Sequence, residues 1–141
     1  MPYRFLDDVA IANVAFEAWG ETREAMFIAS AEATLNVMVA DLETVASRTR
    51  RSARVESDAL DLLLFNFLQE FIYYKDAQRL LLRVETLQIQ TSPFSASAEL
   101  SGEELNMDRH ELVVDVKAVT LHQFRVEETH RGWEAFVILD I

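Results

Sequence analysis

Three kinds of side chain in the last third of the 141-residue chain could do chemistry: two histidines, His110 and His122, a lysine, Lys117, and the carboxylates at the end, Asp140 and the terminus borne by Ile141. The histidines lie twelve residues apart on different segments. That is no metal-ligand spacing, and for each the ordinary alternative is a ring hydrogen-bonded to backbone. Lys117 could engage a phosphate or an acidic partner, or simply guard a strand edge against aggregation. Asp140 stands one position from the end of an apolar strand, so its carboxylate and the α-carboxylate of Ile141 are neighbouring hard oxygen donors. Two such anions repel unless a cation or a proton intervenes, which makes a Ca²⁺ or Mg²⁺ site physically reasonable; a solvated, frayed terminus is the alternative.

The composition narrows the rest. Cysteine is absent, which removes disulfides, thiol nucleophiles and Cys-type zinc sites and is compatible with a cytoplasmic location. The 24 acidic against 13 basic residues give a formal charge of −11, which repels phosphate backbones and anionic lipid surfaces. Direct nucleic-acid binding and membrane binding are therefore not expected, and no stretch approaches the roughly 18 to 20 apolar residues of a membrane span. A cation, a basic protein or a neutral small ligand remains open. The arginines Arg48, Arg50, Arg51 and Arg54 form the only basic cluster; without interleaved aromatics they read as a solvated strand face.

The elements that must position the terminal residues follow from periodicity. "AIANVAFEAW" alternates as a strand that Gly20 ends, and Thr22 can cap a helix over about 23–40 with Glu24 in its first turn. Ser57 or Asp58 is the expected cap of a second helix, whose apolar face is Leu60, Leu63, Leu64, Phe67, Leu68 and Phe71. From Arg79 on the pattern is that of strands. With Gly at only 3 positions and Pro at 2, one domain over 1–141 is expected, of α+β class, with two long helices packed on an antiparallel or mixed sheet.

The strand "KAVTLHQFRVEE" should return through a hairpin at "THRG", residues 129–132, into "WEAFVILDI". Pairing Glu128 with Trp133 then sets Val126 against Ala135, Phe124 against Val137 and His122 against Leu139. It also puts Lys117 and Asp140 on one face, conditional on the loop length, since a one-residue change flips a strand's faces. No phosphate loop, GxGxxG, HExxH or GxSxG occurs, so no enzyme signature accompanies these residues.

"HELVVDVKAVTLHQFRVEE" followed by "GWEAFVILDI" closely resembles the ending of the archease family, in which a His-Glu-Leu run leads to a Lys-Ala-Val-Thr-Tyr-His strand and the chain closes in Asp-Ile. "YRFLDD", "NVAFEAWGETREAMF" and "DLLLFNFLQEFIYYKD" look like that family's first strands and two helices, so the resemblance covers essentially the whole chain. It implies the archease fold and a divalent-metal site built from an N-terminal aspartate, the C-terminal aspartate and the terminal carboxylate. It further implies a role as protein cofactor of the RtcB-type RNA ligase of tRNA splicing and RNA repair. There the family promotes GMP transfer to the ligase's active-site histidine and multiple turnover, without being the ligase.

By this resemblance Asp140 and Ile141 are metal ligands and Lys117 lies nearby as a contact for ligase or nucleotide phosphate. His122 is expected to be structural, and His110 is undecided. The family's His-Thr-Ala-Asp-Val-Gly run corresponds here to Ala10 through Ala15, so Asn13 replaces the metal aspartate. An amide oxygen can ligate Ca²⁺ but brings no charge, which lowers the expected affinity. Asp7 or Asp8 could compensate, though nothing in the sequence positions either. The rival reading is an archease-fold adaptor or chaperone-like module whose metal site is degenerate.

Overall fold

The computed structural model describes residues 2–6 and 12–141. Among these residues seven strands form two sheets, and every pairing between them is antiparallel. One sheet has the order β1-β2-β7-β6, from β1 (Tyr3–Leu6), β2 (Asn13–Gly20), β6 (Ala118–Thr129) and β7 (Gly132–Asp140). The other has the order β3-β5-β4, from β3 (Thr49–Ser57), β4 (Leu80–Thr91) and β5 (Phe94–Glu104). The α+β class holds, with its strands divided between two sheets.

Helix α1 (Arg23–Met38) begins where the sequence places it: the Thr22 side chain accepts from the Ala25 N–H at 3.0 Å, and Glu24 sits in the first turn. Its serine and threonine do not break it, because the Ser30 and Thr34 hydroxyls each donate to the carbonyl four residues back, at 2.9 Å. Helix α2 (Leu60–Gln78) starts later than expected. Ala59 is its N-cap and no side chain caps it, so neither Ser57 nor Asp58 has that role; Ser57 is instead the last residue of β3, paired with Phe94.

Both helices bridge the sheets: α1 contacts β1, β2, β7 and β4, whereas α2 contacts β3, β4, β5 and β6. The shared core is therefore mixed in origin. Phe67 of α2 is buried between Phe27 of α1 and its own neighbour Phe71, at ring-centroid distances of 5.7 and 5.2 Å, and Phe16, Val137 and Leu139 supply the four-stranded sheet's contribution. Burying such side chains is worth roughly 1.5–3 kcal/mol apiece. Gly102 on β5 allows the neighbouring strand β4 of its own sheet to come close, since a Cβ there would lie 1.7 Å from the Leu81 carbonyl oxygen.

Between β5 and β6, residues 105–117 cross the surface tied down at both ends. At the first, buried Glu103 collects the Ala46 N–H at 2.6 Å, Arg109 at 2.5 Å and His110 Nε2 at 3.1 Å. Burial alone would raise this carboxyl's pKa, but the Ala46 N–H, His110 and Arg109 together hold it below the usual glutamate value. At the second, buried Lys75 of α2 donates to the Val116 carbonyl at 2.8 Å and pairs with Asp115 and Asp76. Burial would lower the Lys75 pKa, and the bonds to Asp115 and Asp76 outweigh it and raise it. Between these anchors the Val39–Leu112 bridge joins the segment to the chain just after α1.

Candidate metal and partner site

The terminal strands meet where the sequence draws attention. In the β2–β7 register Asn13 faces Asp140, and on the other side of β7 Ala118 faces Asp140. Directly opposed residues of an antiparallel pair point to the same face with Cβ atoms about 4.5–5.5 Å apart, so the Asn13 amide and the Asp140 carboxylate are neighbours. Backbone hydrogen bonds hold this end in place: the Ile141 N–H donates to Ala12 O at 3.0 Å and the Lys117 N–H to Asp140 O at 2.7 Å. Asn13, Asp140 and Ile141 are all partly exposed, and among the described residues neither the Asn13 nor the Asp140 side chain enters a hydrogen bond or ion pair.

A third oxygen lies on this face. Thr120 stands two residues along β6 from Ala118, opposite Ile138, and its Oγ1 is buried without a hydrogen-bond partner. A buried hydroxyl left unpaired costs about 1–3 kcal/mol, so this end of the sheet carries unused capacity for a ligand or water. The donors are hard oxygens, the chemistry that suits Ca²⁺ or Mg²⁺. No group of three or more His, Cys, Asp or Glu side chains that could hold a metal occurs among the described residues. Any ion held here would therefore lean on amide, hydroxyl and main-chain oxygens as well as Asp140.

The structure corrects the expected placing of Lys117. The hairpin forms with Glu128 opposite Trp133 and Val126 opposite Ala135, as counted, and Gly132 takes a positive φ of 102°. Beyond Arg125, however, β6 bulges: the four residues Leu121 to Phe124 face Val137 alone, and pairing resumes with Thr120 opposite Ile138. Gln123 adopts a left-handed φ of 54° within the bulge. Three surplus residues are an odd number, so the faces upstream are exchanged: none of Leu121 to Phe124 has a register partner, Leu139 pairs with Val119 rather than His122, and Asp140 is opposed by Ala118, which puts Lys117 on the other face from Asp140. Lys117 stays close through its backbone bond to Asp140 O, but its side chain is exposed and forms no ion pair with Asp140.

The histidines separate in the same way. His122 is exposed on the bulge. His110 is buried and engaged elsewhere; its Nδ1 accepts the Asn106 N–H at 3.0 Å and its Nε2 donates to Glu103. Both ring nitrogens are spent on the fold, so His110 anchors the 105–117 segment and has no lone pair left for a metal. Asp7 and Asp8 lie outside the described residues. Sequence reasoning missed Glu103 and Lys75, which reach Ala46 and Asp115–Val116 from far along the chain, and Thr120, whose type gives no signal by itself.

Residues 3–141 match the model of the Archease protein family (MTH1598/TM1083). The chain is 33% identical to protein archease of Methanosarcina mazei over 142 aligned residues, covering 99% of this chain and 95% of that one. To protein archease of Archaeoglobus fulgidus it is 30% identical with both chains covered completely. Protein archease of the fish Ictalurus punctatus matches at 31% identity over 99% of this chain and 85% of the relative. Among solved structures, the solution structure of Methanobacterium thermoautotrophicum protein 1598 superposes with a TM-score of 0.80 at 26% identity, over 99% of each chain. With its full-length family match, its relatives at 30% identity or more and its shared fold, the chain belongs to the archease family.

Proposed function

We propose that this protein is the activating partner of an RtcB-type RNA ligase in tRNA splicing and RNA repair, and that the end of the four-stranded sheet is its working surface. One observation carries the reading: Asn13 and Asp140 share a face in register at the strand ends, with oxygen donors that the fold leaves unused. Asn13, Asp140 and the main-chain oxygens of Ile141 would hold a divalent cation, Ca²⁺ or Mg²⁺, which would supply positive charge to a phosphate-rich partner site. Asp140 faces Asn13 through the ladder, and the Lys117 N–H bond to Asp140 O holds the end of β7 in place. The chain serves as a cofactor in this reading, with GMP transfer belonging to the ligase.

The acidic character of the protein supports the same reading. A ligase that grips RNA and GTP needs a basic cleft, toward which a surface of charge −11 is steered. The test is the rate of GMP transfer to a purified RtcB-type ligase with and without this protein. Acceleration that disappears in Asp140→Ala is expected; no acceleration with a ligase from the same source would overturn the reading. Asn13 favours one rival, an adaptor whose metal site has decayed, and calorimetry separates the two. Heat of Ca²⁺ or Mg²⁺ binding by the native chain supports the activator, whereas heat seen only after Asn13→Asp supports the adaptor.

A further inference from the structure

Beside the sheet end lies an apolar cleft of about 230 Å³, walled by Phe5, Val14, Val37, Val113, Val114 and Ile141. Its residues alternate with those of the candidate site: Val14 follows Asn13 and Ile141 follows Asp140, so the strand ends present oxygen donors on one face and hydrocarbon on the other. Phe5, Val113 and Val114 are 40%, 57% and 38% exposed, and the two valines lie in the segment that the Glu103 and Lys75 anchors tie down on either side. Among the described residues the cleft's one polar neighbour, Asn36, is already occupied: its amide donates to Val39 O and Ala40 O, and its Oδ1 accepts from the Tyr3 hydroxyl.

Asn36 also lines an adjoining groove of about 390 Å³, and that groove is acidic. Glu32, Asp41 and Glu43 line it against one cation, Arg83, which is taken by Glu32 at 2.8 Å and Glu43 at 3.5 Å. Three carboxylates to one guanidinium leave a negative surplus. A hydrocarbon pocket and an anionic groove with a shared wall specify an occupant that is apolar at one point and basic at the next.

We infer that this double cleft docks a protein partner through a surface segment bearing a bulky apolar side chain beside a lysine or arginine, the apolar group entering between Phe5 and Val113 and the cation lying along Asp41 and Glu43. The inference rests on the activator reading only for the partner's identity. Seated there, one partner rim would touch Ile141 from the apolar side and bring its remaining surface over Asp140.

The test is methyl NMR of the full chain with three additions: an RtcB-type ligase, a synthetic peptide with leucine beside paired arginines, and the same peptide with glutamates for arginines. Ligase binding that shifts the Val113, Val114 and Ile141 methyls, and that weakens about tenfold in Val113→Asp and in Glu43→Lys, supports the docking surface. Ligase binding that leaves those methyls unmoved and both variants unaffected overturns it while the activator reading stands. If the ligase does not bind, the activator reading falls; shifts at these methyls with the arginine peptide alone would then still support the surface, and shifts with neither peptide would overturn it. Methyl shifts that grow with the protein's own concentration would also overturn it, because a second copy would be the occupant. Val113 and Glu43 are exposed, so a circular-dichroism spectrum matching the native one accompanies each variant.

Discussion

The two ends of strands β2 and β7 are built by opposite rules. At the Gly20–Trp133 end Glu134 and the two tryptophan rings hold the arginines, although the buried Arg23 Nε has no hydrogen-bond partner among the described residues. Arg131 lies 4.4 Å over the Trp19 ring and bonds Glu134 at 2.6 Å, Arg23 lies 4.5 Å over the Trp133 ring, and Thr129 donates to Glu134. At the Asn13–Asp140 end, the side-chain oxygens have no partner among the described residues and a threonine hydroxyl is buried unpaired by them. The first end spends most of its polar groups on holding the hairpin; the second keeps a carboxylate, an amide and a hydroxyl in reserve. Polar groups left unsatisfied at the end of a well-formed ladder are what a ligand site requires and what folding alone would not retain.

Substitutions at each end should therefore read out differently. The largest expected effect is functional: even outer-shell partners of a metal cost roughly 10–100-fold when removed, so Asp140→Ala should lower Ca²⁺ or Mg²⁺ affinity, measured by calorimetry, by at least that factor. Its stability should stay within about 0.5 kcal/mol of native, because the side chain holds nothing else in place. If Asp140→Ala unfolds the protein, the two ends are not distinct.

Glu103→Gln should come next, at about 3 kcal/mol of unfolding free energy in urea titration, because it leaves Arg109 without its buried counter-charge and weakens the bonds to Ala46 and His110. Glu134→Gln should cost less, about 1 kcal/mol, and leave metal affinity unchanged. It should also alter the acid limb. The bond from Arg131, then that from Thr129, lowers the Glu134 pKa, so this carboxylate's stabilisation is full above the unfolded glutamate value of about 4.3 and is lost as pH falls through the lower folded value. Urea midpoints between about pH 5 and pH 2 should thus fall more steeply in the native protein than in Glu134→Gln.

What was legible in the sequence was local or periodic. The Thr22 cap, the apolar face of α2 and the hairpin around Gly132 depend on residues close together in the chain, and each is found. The start of α2 was misread because Ser57 and Asp58 have cap chemistry, yet pairing of Ser57 with Phe94 carries β3 past the place where a cap would act. The β6 bulge was invisible because Leu-His-Gln-Phe contains no glycine or proline to mark it, and a left-handed Gln123 is a decision of the surrounding packing, including Phe124 against Phe65 at 5.9 Å. Glu103 finds Ala46 across 57 positions, a distance no spacing rule spans. The Asn13–Asp140 meeting, farther apart still in the chain, is anticipated only through family resemblance.

The bulge has a mechanical meaning of its own. Because four residues of β6 are accommodated opposite Val137, alignment at the hairpin and alignment at Ala118–Thr120 are set separately, the first by the turn and the second by the end of β7. It works as an expansion joint: a residue gained or a slip taken between Arg125 and Gly132 can be absorbed in Leu121–Phe124 before it reaches Ala118. Over evolutionary time the hairpin can therefore change length and wander in sequence while Asp140 keeps the same two neighbours.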